Sequence, residues 1–240
     1  MKQFSTSIRI YSGLIFLLVL VKLLFVIFPV AMPVAGNEAA FSPLTILIIA
    51  VMGLLGLLMA RRTGFPEILD ERISNRQRFL IPCVIGLVYG LATVAPLLLG
   101  NSNRVHPLAV SADIHVKFPF SIPYYTYGAL FLEIFLRLFC VSLLVWLISN
   151  VILRGRGQTA AFWFAALVVA MYEPMPYLMQ DFANNTAAGS VWVILKTVAG
   201  PLFISNVAAA YLFRRYGFLA PFVMRLSHYL IWHIIYGGLT

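Results

Sequence analysis

Charge is what this chain of 240 residues has least of. Asp, Glu, Lys and Arg together make up 10% of it, where ordinary soluble domains carry about 25%. So little polar surface cannot cover a water-facing globule, and a soluble domain is excluded. Cysteine is nearly absent as well. Cys83 and Cys140 lie in apolar stretches with no metal or redox spacing, which excludes a disulfide framework and leaves two inert thiols as the reading. Glycine and proline are too few and too scattered for a collagenous chain, and the low charge excludes a disordered one. What fills the space is apolar: 62% hydrophobic residues and a mean hydropathy of +0.94. The composition predicts an integral membrane protein.

The net charge of +9 raises the question of nucleic acid. The basic residues, however, sit in short connections between apolar runs of about 20 residues, the length a helix needs to cross a bilayer core. No basic helix interleaves with stacking aromatics as a single-strand binder would. Nucleic acid is not an expected partner; membrane lipids are.

Seven apolar segments can be read, at roughly 11–32, 43–60, 79–99, 125–153, 160–180, 190–213 and 217–238. Continuous runs of this kind exclude a transmembrane barrel, which needs short alternating strands. The expected fold class is all-α, a polytopic transmembrane bundle in a single domain. Orientation follows from the connections. Eleven Lys and Arg fall in the N-terminus, the 61–78 connection and the turns after segments four and six, whereas only Arg104 and Lys117 fall on the other side. The bias predicts the N-terminus inside and the C-terminus outside, which agrees with an odd number of spans. The first segment has the basic start of a signal peptide but an apolar run longer than that signal uses, so it reads as a retained anchor. The cytoplasmic membrane of a prokaryote is the expected location. The mixed-sign stretch from Gly64 to Arg78 reads as the cap of an interfacial helix or as a solvated, topology-setting loop.

Charges inside apolar segments are costly, about 2.5–3.5 kcal/mol each on insertion scales, so each one is a candidate for function. Here they are Lys22, Glu133, Arg137, Glu173, Lys196, Arg225, His228 and His233. Glu133 and Arg137 are four residues apart, within pairing distance on one α-helical face. They read either as an arginine positioning an ionised carboxylate or as a structural ion pair. Glu173 precedes Pro174 and Pro176, which break a helix and free backbone carbonyls. It reads as a general base or metal ligand in a cavity, or as the outer end of span five. Arg225, His228, Tyr229, Trp232 and His233 make one helical stripe that should face the bundle interior. His228 and His233 could ligate a divalent metal such as zinc, although five residues is a loose spacing for two ligands. His106, Asp113 and His115 form a second, looser metal candidate. At about 1.5 Å per residue, Glu133, Arg137, Glu173, His233 and Lys196 share an outer-leaning depth. A common polar cavity is therefore expected, with Arg225 nearer the inside.

Segments 125–153, 160–180 and 200–238 resemble the CPBP intramembrane proteases, the group that includes type II CAAX prenyl endopeptidases. That family carries Glu-Glu-x-x-x-Arg, Phe-x-x-x-His and a last motif of His followed four residues later by Asn or Asp. Leu132-Glu133-Ile134-Phe135-Leu136-Arg137 resembles the first, and the stretch from Tyr211 to Pro221 resembles the approach to the last. Leu132 stands where the first Glu belongs, Glu173 where the motif His belongs, and neither Arg225 with Tyr229 nor His228 with Trp232 supplies the last pair. The resemblance implies an intramembrane endopeptidase in which Glu133, positioned by Arg137, activates water with Glu173 and His228 assisting, on a membrane peptide or protein. The departures leave a second reading open: a catalytically inactive membrane scaffold or binding protein that keeps the protease fold.

Overall fold

The computed structural model of the protein describes residues 2–29, 37–100, 115–184 and 190–239. Among them every regular element is helical. The helices are α1 (Lys2–Ile27), α2 (Pro43–Arg62), α3 (Arg76–Leu98), α4 (Ser121–Ile152), α5 (Gln158–Ala170), α6 (Met175–Asn184), α7 (Ser190–Val198), α8 (Pro201–Tyr216) and α9, which covers Leu219–Tyr229 and runs on through Leu230–Tyr236. A short helical turn, Asn37–Ala40, precedes α2.

Four of these, α1 to α4, are long and apolar enough to cross a membrane, and α5 with α6 makes a fifth if the bent pair is one span. Among the described residues the fold is all-α, with several helices long and apolar enough to span a membrane. The last three apolar segments are less regular than their composition suggests. Segment 160–180 breaks after Ala170 and restarts at Met175 with a bend of 55°. Pro174 and Pro176 account for it: a residue before proline avoids the α region, while a proline in the first turn of the next helix is tolerated. Segment 190–213 breaks at Gly200, whose extended backbone caps α8 ahead of Pro201. Segment 217–238 stays helical, but Arg225, His228 and His233 dilute its apolar run.

α4 is the most deeply packed of the candidate spans. Its buried face, including Leu130, Ile134, Leu138 and Val141, joins Phe162, Ala165 and Ala166 of α5 and Phe213 of α8 in the main core. Two glycines set the helix spacing. A Cβ on Gly56 would overlap the Leu138 carbonyl of α4, and one on Gly86 would overlap the Met224 carbonyl of α9. Small residues at such crossings let helix backbones approach in membranes, where no hydrophobic effect pushes helices together. In contrast, Leu44, Leu47, Val51 and Leu58 of α2 are exposed, as a lipid-facing side requires.

The Gly64–Arg78 connection is solvated along part of its length, with Glu71, Arg72, Ser74, Asn75 and Arg76 exposed, and is anchored to the bundle through Phe65, Ile68, Asp70 and Arg78, which are buried. Ser7 of α1 donates to Glu67 at 2.7 Å and accepts from the Ile68 amide at 3.2 Å. Arg78 is buried and donates to the Asp70 and Ile73 carbonyls. Asp70 accepts from the Arg72 amide and guanidinium, and that partner holds its carboxyl below the usual carboxylate range. Other contacts gather the helix ends at this face. The Arg61 guanidinium lies over the Phe4 ring, Asn150 donates to the Arg62 carbonyl, Gln158 donates to the Thr63 carbonyl, and Arg214 donates to Thr159. The arginines at the ends of α2, α4 and α8 therefore share one end of the bundle.

Candidate functional site

Four of the intramembrane charges, Glu133, Arg137, Glu173 and Arg225, converge, with Arg225 of α9 at their centre, whereas Lys22 of α1 is not among the residues around it. Its Nε donates to Glu133 Oε1 at 2.6 Å. Its Nη1 and Nη2 donate to the two Glu173 oxygens at 2.8 and 2.7 Å, a bidentate pair. The two remaining guanidinium hydrogens face Tyr229 Oη and Asn206 Oδ1, each at 3.4 Å. All five N–H groups of the fork have an acceptor. Planar bidentate pairing of this kind is strong and directional.

Arg137 keeps the contact with Glu133 that its spacing suggests, but its hydrogen bonds go elsewhere. Its Nε lies 3.5 Å from Glu133 Oε2, a salt bridge too long for a hydrogen bond. Instead Nη2 donates to both the carbonyl and the Oδ1 of Asn206. α4 is α-helical to Glu133 and then takes wide π turns over Ile134–Val141. Such wide turns are uncommon and often mark functional sites. Glu133 Oε2, Arg137 Nε and Arg137 Nη1 are buried without a hydrogen-bond partner.

Glu173 does not end a span in open surroundings. It occupies the turn between α5 and α6, its side chain is 16% exposed, and it is drawn inward onto Arg225. Glu133 is fully buried. The group is electrically balanced, since two carboxylates face two guanidiniums.

The histidines have separate settings. His228 packs on the Tyr89 ring at 4.3 Å between centroids, and its Nε2 has no hydrogen-bond partner. His233 stacks on Tyr125 at 4.1 Å and approaches His115 with 3.1 Å between the Nδ1 atoms. Burial lowers the pKa of His115, which favours the neutral ring such a hydrogen bond needs. A zinc site does not fit this donor set. Two imidazoles meet, where catalytic zinc takes three protein ligands, both carboxylates are held by Arg225, and no group of three or more His, Cys, Asp or Glu among the described residues could hold a metal. His106, Asp113 and the side chain of Lys196 lie outside the described residues.

Glu133, Glu173, Arg225, His228, Tyr229, Trp232 and His233 all line one cavity of about 1370 Å³. Its walls are otherwise mostly apolar, with Leu143 and Leu144 of α4, Pro96 of α3, and Met171, Met175 and Met179 around the α5–α6 bend. Typical small-molecule pockets hold about 300–1,000 Å³, so this one has room for a large apolar group. Sequence reasoning identified Arg225 only as one member of a stripe, and it missed Asn206 and Tyr89. A lone buried amide in an apolar helix is the signal that marks Asn206. Tyr89 carries no comparable signal. Compared with protein-family models, curated proteins and solved structures, the chain finds no match.

Proposed function

We propose that this chain is a divergent CPBP-like intramembrane protein that binds the apolar part of a membrane-embedded lipid, peptide or protein, without hydrolysing it. In this reading it crosses the cytoplasmic membrane of a prokaryote seven times, with the N-terminus inside and the C-terminus outside. The eleven-to-two bias of basic residues supports the orientation. The observation that carries the functional reading is the engagement of both carboxylates by Arg225. A general base must be able to take a proton within hydrogen-bond reach of its water, and a carboxylate held in a guanidinium fork is a poor one. The large apolar cavity beside the ion network supports binding.

One observation favours hydrolysis instead. Glu133 Oε2 has no hydrogen-bond partner, and Glu133 shares its cavity with Glu173 and His228, the set that the endopeptidase reading uses. The two readings separate in one experiment. The protein in phosphatidylcholine nanodiscs is incubated with fluorogenic lipidated peptides, and both retention and cleavage are followed. Saturable retention without cleavage is expected. Turnover by the wild type that is lost in a folded Glu133→Gln variant would replace the binding reading with the enzymatic one.

A further inference from the structure

We infer that the cavity selects an uncharged amphiphile, a long apolar chain ending in a hydroxyl or a comparable neutral hydrogen-bonding group. This rests on the binding reading above and narrows it to a class of ligand.

The charge balance of the wall carries the inference. An ionised head group entering a low-dielectric cavity needs an unengaged counter-charge, or it loses its hydration for nothing. An anionic head would turn to Arg225, the one guanidinium among the described lining residues. All five of its N–H groups already face acceptors, and two of those acceptors belong to a bidentate carboxylate. A cationic head would turn to the carboxylates. Glu133 and Glu173 are held by Arg225, and Asp181, the other carboxylate on the wall, also has an interaction partner. An anion would have to displace an acceptor from Arg225, and a cation would share its carboxylate with a guanidinium already bound to it, so neither gains an unengaged counter-charge.

A second, independent observation points to what the head group is. Two lining residues carry a buried polar atom without a hydrogen-bond partner, Glu133 Oε2 and His228 Nε2. The carboxylate oxygen only accepts, whereas the imidazole nitrogen donates or accepts according to its tautomer. A hydroxyl can donate to the first or bond with the second without changing the charge of the site. Satisfying an orphaned buried polar atom is a gain that no apolar head can supply. The methionines around the bend suit the chain, because unbranched thioether side chains adapt to irregular apolar shapes.

The test uses the full chain in phosphatidylcholine nanodiscs and three diazirine-tagged probes with the same alkyl chain: hexadecanol, hexadecanoate and hexadecyltrimethylammonium. Photolabelling at Met171, Met175 and Leu143 is divided by labelling at the lipid-facing Leu47 and Val51, which removes differences in bilayer partition. Each probe is then titrated with its untagged form. The alcohol is expected to label the cavity at least tenfold more tightly than either ion. Glu173→Gln removes a charge and frees one N–H group of Arg225 and should raise hexadecanoate affinity about tenfold, while Arg225→Gln should do the same for the ammonium probe. Equal or tighter binding of an ionic probe to the wild type overturns the neutral-head inference and leaves the binding reading standing. Absence of saturable cavity labelling by all three overturns both. The wild-type ranking decides the matter even if a variant does not fold.

Discussion

Removal of the shared guanidinium by Arg225→Leu tests the ion network most directly. The substitution strips Glu133 of its 2.6 Å partner and Glu173 of both its bonds. Glu133 is then left fully buried, with only Arg137 near it at 3.5 Å. Breaking a buried pair by removing one partner costs about 3–5 kcal/mol. An independent bound comes from proton uptake. Neutralising a carboxylate of ordinary pKa at pH 7 costs about 1.36 kcal/mol for each of roughly 2.7 units, or close to 4 kcal/mol. The two estimates meet, so a loss of about 3–5 kcal/mol is expected, a fall in Tm on the order of 10 °C for a chain of this length.

Thermal unfolding in nanodiscs measures it, and a second variant makes the reasoning refutable. In Glu173→Gln with Arg225→Leu, the stranded carboxylate at the bend is gone and Glu133 still faces Arg137, so charge neutrality returns. The double variant should be more stable than Arg225→Leu alone, by about 2 kcal/mol, within the usual range of coupling between residues in contact. Replacement of buried ion pairs by neutral groups is often close to neutral, which is why a second mutation can repair the first. A double variant less stable than the single one would refute the assignment of Arg225 as the charge partner of Glu173.

Three further outcomes are expected. Gly56→Val should lower stability by about 1–3 kcal/mol, because its side chain overlaps the Leu138 carbonyl, whereas Gly128→Ala, which opens on free space, should change Tm little. Asp70→Asn should lower stability slightly at pH 7, because the amide keeps an acceptor for the Arg72 backbone N–H but loses the charged oxygen that faces the Arg72 guanidinium. Since the Asp70 pKa is lowered in the fold, this contribution is complete above the ordinary carboxylate range and disappears as pH falls through the lowered value. Tm profiles of the two proteins should accordingly converge below about pH 4. In a chain with Cys83 and Cys140 replaced by alanine, membrane-impermeant maleimide should label Arg62→Cys from the cytoplasmic side and Lys117→Cys from the opposite side; labelling of both from one side would refute the orientation.

The all-helical class was legible because apolar runs of about 20 residues have few other physical solutions. The candidate charges were legible for the same reason, since an ionisable residue stands out in hydrocarbon. Their pairing was legible only for Glu133 with Arg137. Sequence spacing reports neighbours three and four residues apart, so it joined Glu133 to Arg137. The actual bonds of Arg225 reach across 92 residues to Glu133 and 52 to Glu173. The spacing found the Glu133–Arg137 contact, which the structure keeps as a 3.5 Å salt bridge, but nothing in it pointed to the bonds from Arg137 to Asn206. The breaks at Pro174 and Gly200 are written in the residues, but a reading of hydropathy alone passes over them and counts unbroken spans.

The bend, the cavity and the ion network depend on one another. A straight continuation of α5 through Tyr172 would change the placement of Glu173, Met175 and Met179, which line the cavity at and after the 55° bend. The prolines prevent that continuation, but a broken helix frees backbone carbonyls, which at membrane depth are tolerated where protein or a cavity surrounds them. Residues 171–177 lie on the cavity wall, so the break is accommodated there. The bidentate bond from Arg225 then ties the turn to α9, which is itself locked against α3 at Gly86. A purely structural ion pair would need no such chamber beside it, and replacing it with apolar side chains would cost little. What apolar packing cannot supply is a fixed bend with a balanced polar wall on one side of a space large enough for an alkyl chain. Under the proposed binding reading, that combination would hold an amphiphile by its tail and disfavour a charged head.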